Sequence, residues 1–210
     1  MGRLIAVEGL DGAGKNTLVT GLVRRWQEAG SRVSTFTFPR YGQSVFADIA
    51  AEALHGEHGD LRSSVYAMAM LFALDRQSAA PAIESALAEN DVVIADRYVA
   101  SNAAYSAARL GEPADGAVVT WITDTEFGRF ALPKPAHHLL IGIPAEIAMA
   151  RAAARAEADP GRGRDLYERD SDLQLRVDQT YRDLAAASWI APWTAVTGDD
   201  VDSLATQLLE

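Results

Sequence analysis

The 210-residue sequence contains no cysteine. That excludes a disulfide framework, a thiolate metal site and a cysteine nucleophile. No apolar run approaches the roughly 20 residues of a membrane span. The N-terminus has no basic stretch followed by a long apolar segment, so no signal peptide is expected. Basic residues are in the minority: 19 Lys and Arg against 29 Asp and Glu, for a net charge of −10. Such a chain has no general attraction for nucleic acid or an anionic membrane, and an anionic ligand must be held by a local basic cluster. Repeats and low-complexity linkers are missing too. The expected compartment is the cytoplasm.

Hydrophobic residues make up 49% of the chain, enough for the core of one α/β domain over residues 1–210 with a small mobile insert. "RLIAVEG" reads as a buried strand ended by glycine. Residues 15–29 read as a helix, with Leu18, Leu22, Val23 and Trp26 on one stripe and Gly30 as the stop. "RVSTFTFP" is a second strand. Residues 64–77 form a helix, apolar almost all round between Ala67 and Leu74, which must be buried on most sides. "DVVIAD" is a third strand, and its unbroken Val92, Val93 and Ile94 suit a strand covered on both faces. Helices over 116–131, 144–156, 170–188 and 201–209 alternate with strands at 139–143 and in "WTAVTG". This order predicts a parallel sheet with helices on both faces.

Residues 8–18, "EGLDGAGKNTL", place Gly9, Gly14 and Lys15 as a phosphate-binding loop places them. The loop follows a buried strand and opens a helix. Backbone N–H groups of Gly12, Ala13, Gly14 and Lys15 can surround phosphate oxygens, the helix N-terminus adds partial positive charge, and Lys15 meets the outer phosphates. The plainer alternative is a tight strand–helix turn. The next position calls for a Ser or Thr hydroxyl on Mg²⁺, but the chain has Asn16, and Thr17 points about a quarter-turn away. Asp11 inside the loop repels a phosphate. It therefore holds a metal or a sugar hydroxyl of a second substrate, or it only shapes the turn.

"DRYVASNAAYSAA" follows the third strand. Asp96 stands at the strand's C-terminal end, where parallel sheets bind ligands, and could hold a metal-bound water. Arg97 can fork onto a phosphate. Ser101 and Tyr105 share one face of the following helix, and Asn102 offers a donor and an acceptor, which suits the edge of a base. An ordinary helix start is the alternative. The polar stretch 155–165, "RAEADPGRGRD", reads as a mobile lid, with Arg151, Arg155, Arg162 and Arg164 to neutralise a phosphoryl group in transfer. Glu157, Asp159 and Asp165 leave open a solvated loop. His55 and His58 lie among glycines with no third metal ligand evident, and His137 and His138 point to opposite faces of a strand.

"EGLDGAGK", "FPRYG", "DRYVASNAAY" and "LPKP" resemble, in order and spacing, the motifs of the thymidylate kinase family, over the chain as far as about residue 182. The likeness is greatest to the lid-arginine subclass and its mycobacterial members. It implies a phosphate-loop kinase fold with a lid over about 149–165, and transfer of a phosphoryl group from ATP to dTMP with Mg²⁺. On that resemblance Gly9, Gly12, Ala13, Gly14, Lys15, Asn16 and Thr17, with Arg151, Arg155 and Arg162, bind ATP. Asp11, Lys15, Arg97 and Arg155 are catalytic. Arg97 and Ser101 serve the acceptor nucleotide, and Phe38 and Tyr41 line its pocket. Phe72 stacks on thymine, Arg76 and Asn102 read its edge, and Tyr105 lies beneath the sugar. Apart from the resemblance, Asp11, Asp96 and Glu168 are three carboxylates that can converge near the transferred phosphate; Mg²⁺ is expected against Asp11 and Glu168 in place of the missing hydroxyl, and Tyr167 beside Glu168 can close over the acceptor sugar. Residues 65–76 contribute to a homodimer contact. Ala136 departs from the family, whose members often carry Asp there. The alternatives are another nucleoside or nucleotide kinase and a non-catalytic nucleotide-binding protein; a GTP switch lacks its Asn-Lys-x-Asp segment.

Overall fold

The computed structural model describes residues 2–158, 165–197 and 201–208. Its elements are β1 (Arg3–Glu8), α1 (Lys15–Glu28), β2 (Val33–Thr37), α2 (Val45–Leu54), α3 (Val65–Glu89), β3 (Val92–Asp96), α4 (Val99–Leu110), α5 (Ala117–Thr123), β4 (His137–Ile141), α6 (Ala145–Ala158), α7 (Leu166–Arg169), α8 (Ser171–Ala186), β5 (Trp193–Val196) and α9 (Val201–Gln207). A π-helical turn, Asp124–Arg129, continues α5. The strands form one parallel sheet in the order β2-β3-β1-β4-β5.

β1 lies at the centre because Leu4 to Val7 are apolar on both faces and fully covered. Its register pairs Ile5 with Ile94 and Val7 with Asp96. The segments that leave β1 and β3 therefore emerge side by side at the carboxyl edge of the sheet. On the other flank Val7 pairs with Leu139, which brings the loop into α6 to the same edge. Trp26 of α1 donates its indole N–H to the Ala205 carbonyl at 2.8 Å and ties the last helix down.

Five elements differ from the sequence expectation, among them the short α7, which is unforeseen. α2 is unforeseen: Ala47, Ala50, Ala53 and Leu54 form its buried stripe, but alanine gives a weak periodic signal. α3 continues to Glu89 through Pro81, which reads locally as a stop. β4 begins two residues earlier, at the polar His137. Residues 116–131 change from α5 to the π-helical turn instead of forming one helix. The apolar stretch of α3 is buried along Val65, Met68, Ala69 and Ala73, yet Tyr66 is 41% exposed. Among the described residues no helix is long and apolar enough to cross a membrane.

Candidate active site

A cavity of about 1030 Å³ opens at the carboxyl edge of the sheet. Its floor is the glycine loop. Gly12 and Gly14 take φ of 82° and 106°, a region that favours glycine. Gly12 has a second reason: a Cβ there would lie 2.1 Å from the Ala148 carbonyl oxygen of α6. Lys15 folds over the loop and donates to the carbonyls of Leu10 (2.8 Å) and Gly9 (3.1 Å). Burial, with Arg97 close by, pulls its ammonium down to about 8.

Asp11 is the hub of the charged end. It meets Arg97 at 2.9 Å, Lys15 at 3.9 Å and the Tyr105 hydroxyl at 3.5 Å. Burial alone would raise the Asp11 carboxyl, but Arg97 and Lys15 outweigh it and hold it well below the usual carboxylate range. Arg97 itself has φ of 65°, an uncommon conformation for a side-chain-bearing residue. It stands over the Tyr105 ring at 5.7 Å. Behind it lies Glu8, the fully buried last residue of β1. Glu8 accepts from the Tyr98 backbone N–H (2.9 Å), from Ser101 (2.6 Å) and from Tyr181 (3.3 Å). Burial pushes its carboxyl up despite Ser101 and Arg97. Ser101 thus gives its proton inward to Glu8 while accepting from Arg97 at 3.2 Å.

The opposite end is largely apolar. Phe38, Phe72 and Met68 line it, with Tyr41 at the mouth. Arg76 and Asn102 face it from α3 and α4 and are 3% and 5% exposed. Both are gripped by Glu126 of the π-helical turn, which is fully buried. Arg76 donates to its two oxygens at 2.6 and 2.7 Å, and Asn102 donates at 2.8 Å. Burial works against the Arg76 charge, but Glu126 outweighs it and raises the guanidinium's pKa. Arg40 of "FPRYG" is not among the cavity's lining residues. It binds Asp75 of α3 through its backbone N–H and its guanidinium, both at 2.9 Å, and fastens the loop that carries Phe38.

The third wall comes from α6 and α7. Arg151 and Arg155 sit on α6, so the first half of the segment 149–165 is regular helix. Arg162 and Arg164 lie outside the described residues. Asp165 caps α7 by accepting from the Glu168 N–H at 2.8 Å. Tyr167 stacks on Tyr105 at 6.3 Å under the Arg109 guanidinium at 4.8 Å. Burial, then the charges of Asp11 and Asp165, push the Glu168 carboxyl up to about 7. Asp96 Oδ1 is buried with no hydrogen-bond partner among the described residues.

The cavity gathers Asp11, Gly12, Gly14, Lys15, Asn16, Thr17, Phe38, Tyr41, Phe72, Arg76, Arg97, Ser101, Asn102, Tyr105, Arg151, Arg155, Tyr167 and Glu168. Gly9 and Ala13 are buried beneath the loop and shape it from behind. Sequence reasoning missed Glu8, Glu126 and Tyr181. A carboxylate ending an apolar strand was a usable signal for Glu8; "DTEFG" carries none for Glu126. Outside the cavity, His58 lies beside Glu52 and Glu57, ligand partners the sequence reading did not find, all three exposed.

A 2-3-1-4-5 parallel sheet, with a phosphate loop at one end of its cleft and an aromatic, hydrogen-bonding pocket at the other, places the chain among the phosphate-loop nucleotide kinases. A family model for thymidylate kinase matches residues 7–195. The chain is 59% identical to the thymidylate kinase of Mycobacterium tuberculosis over 95% of its own length and 92% of that protein. It is 32% identical to the thymidylate kinase of Citrifermentans bemidjiense, with 89% and 80% covered, and 31% identical to a probable thymidylate kinase of Thermococcus gammatolerans, with 88% and 84% covered. The chain belongs to the thymidylate kinase family.

Proposed function

We propose that this chain transfers the γ-phosphoryl group of ATP to dTMP, giving dTDP, in the cytoplasm. The observation that carries the reading is the 59% identity across nearly the whole chain to a thymidylate kinase. The geometry supports it. The loop amides and Lys15 hold the ATP phosphates, joined by Arg151, Arg155 and Arg162. Arg97, braced by Asp11 and Ser101, takes the acceptor phosphate. Phe72 stacks on the base, Arg76 and Asn102 read its edge, and Tyr105 and Tyr167 flank the sugar. Phosphoryl transfer needs little covalent chemistry from the protein. It needs alignment, and positive charge around the moving group, and Arg155 on α6 supplies that charge from the lid side. Residues 149–165 act as the lid of a single domain. A coupled assay offering ATP with each nucleoside monophosphate tests the reading: dTMP should be by far the best acceptor, and good turnover of CMP or AMP with poor turnover of dTMP overturns it.

Mg²⁺ is the metal such a transfer uses, to neutralise phosphate charge. Asp11, Asp96 and Glu168 bring hard oxygen donors to one cavity without all three meeting at one point; burial and neighbouring carboxylates raise Glu168, and among the described residues Asp96 has an unpartnered oxygen. Asn16 offers only a neutral amide. We assign Mg²⁺ to Asp11 and Glu168, on the acceptor side. Titrating dTMP without ATP should then show tighter binding with Mg²⁺ than without it, and loss of that gain in Asp11→Asn. Equal wild-type affinities return the metal to the ATP side. Residues 65–76 of α3, with Tyr66 exposed, form a homodimer contact; sedimentation showing a monomer at micromolar concentration overturns this assignment.

A further inference from the structure

We propose that Glu126 fixes the direction in which the base end of the cavity donates and accepts hydrogen bonds. It thereby selects a pyrimidine with a 4-oxo group and an N3–H over one with a 4-amino group. The inference rests on the dTMP reading above and names the residue that sets its base selectivity.

The argument is one of donors and acceptors. Asn102 has one N–H₂ group and one oxygen. Its Nδ2 donates to the Ala69 carbonyl at 3.0 Å and to Glu126 Oε1 at 2.8 Å, so both hydrogens are engaged. Turning the amide over would set Oδ1 against two acceptors and lose both bonds. Oδ1 therefore stays the free atom, and it is an acceptor. Arg76 donates Nε and Nη2 to the two Glu126 oxygens. Among the described residues its Nη1 has no partner, and Arg76 lines the cavity beside Asn102. The pair shows the cavity one fixed donor and one fixed acceptor. The N3–H and O4 of thymine complement that pair. Cytosine presents an acceptor at N3 and a donor at its 4-amino group, the reverse of both.

Glu126 suits this role because a carboxylate with both oxygens accepting cannot change direction. It comes from the π-helical turn, 24 residues from Asn102 and 50 from Arg76. One side chain thus sets the orientation of two helices' functional groups without touching the base. Glu126 is a positioning residue.

Glu126→Gln tests this. The amide keeps the size but replaces one acceptor by a donor, which lets Asn102 turn over and leaves Arg76 half held. The ratio of kcat/KM for dTMP to that for dCMP should fall about tenfold or more, while Glu126→Asp, which still only accepts, keeps most of the discrimination at reduced activity. Equal loss on both substrates, or an unchanged ratio, makes Glu126 structural filler and overturns the proposal. Should Glu126→Gln not fold, the wild-type protein decides by NMR: the Asn102 side-chain amide hydrogens must exchange far more slowly than those of the exposed Asn16, and comparable exchange overturns it. A wild-type enzyme that does not prefer dTMP defeats the functional reading as well; one that prefers dTMP, with the preference intact in Glu126→Gln, defeats only this inference.

Discussion

The two ends of the cavity are built on opposite plans. At the base end, Arg76, Glu126 and Asn102 are at most 5% exposed, and acid and base are matched one to one. At the phosphate end, Asp11, Asp96, Asp165 and Glu168 face Lys15, Arg97 and Arg155. Several of these groups are pushed from their ordinary protonation range by burial and by one another. The base end spends its polar groups on the protein's own structure and leaves two atoms for a ligand. The phosphate end keeps charge in reserve, on a loop and two helix termini. Recognition of an uncharged base needs fixed direction. Transfer of a multiply charged group needs field strength and room to move.

If that contrast holds, substitutions at the two ends must fail in different ways. The largest effect belongs to Glu126→Leu. It leaves Arg76 charged and unpaired in the interior, and breaking a buried pair from one side costs about 3–5 kcal/mol. Denaturant unfolding should show that loss of global stability; a loss below about 1 kcal/mol would mean that water reaches Arg76 and the base end is not closed. Arg155→Ala comes next. It should lower kcat about 100-fold while leaving dTMP affinity and the melting temperature nearly unchanged, because the charge acts in the transition state. Steady-state kinetics with a direct dTMP binding titration separates the two, and an unchanged kcat erases the distinction between the ends on the lid side.

The smallest effect lies away from both ends and isolates burial from ligand chemistry. His138 in β4 is fully buried, stacks on Trp193 at 4.2 Å, and among the described residues has no hydrogen-bond partner on either ring nitrogen. Burial, with His137 nearby, pulls its pKa down to about 3. The unfolded chain takes up that proton near pH 6.5 and the folded chain resists until about 3. Stability should therefore be complete above about pH 6.5 and decline as the pH falls through that window, by about 2 kcal/mol at pH 5 from this residue. His138→Phe keeps an aromatic ring on Trp193 and should flatten the decline in unfolding free energy between pH 7.5 and 5. An equally steep decline would show that other groups carry it.

These contrasts also explain what the sequence disclosed. The phosphate loop, Asp96 and Arg97 were legible because their chemistry is local: each sits at a fixed offset from a strand end, and the register of β1 with β3 brings the offsets together. Glu126 was not legible, because its role depends on two helices that approach it from distant parts of the chain. α3 past residue 77 was hidden by Pro81, whose lost hydrogen bond is tolerated inside a helix held on both sides of it. The start of β4 was hidden by His138, a polar residue that stacking makes into core. Arg40 serves as a clamp on Asp75, a role that only the partner residue reveals.

Gly12 carries a consequence for how this chain can vary. Its missing side chain is the seat on which α6 rests, with Ala148 and Ala152 pressed against the space a Cβ would take. Position 12 and positions 148–152, more than 130 residues apart, thus form one heritable unit. A mutational library that varies the loop alone should return glycine at 12 almost without exception. Other residues become admissible there only when α6 is re-drawn in the same clone, and a relative with a bulky residue at this position must carry its own version of that helix.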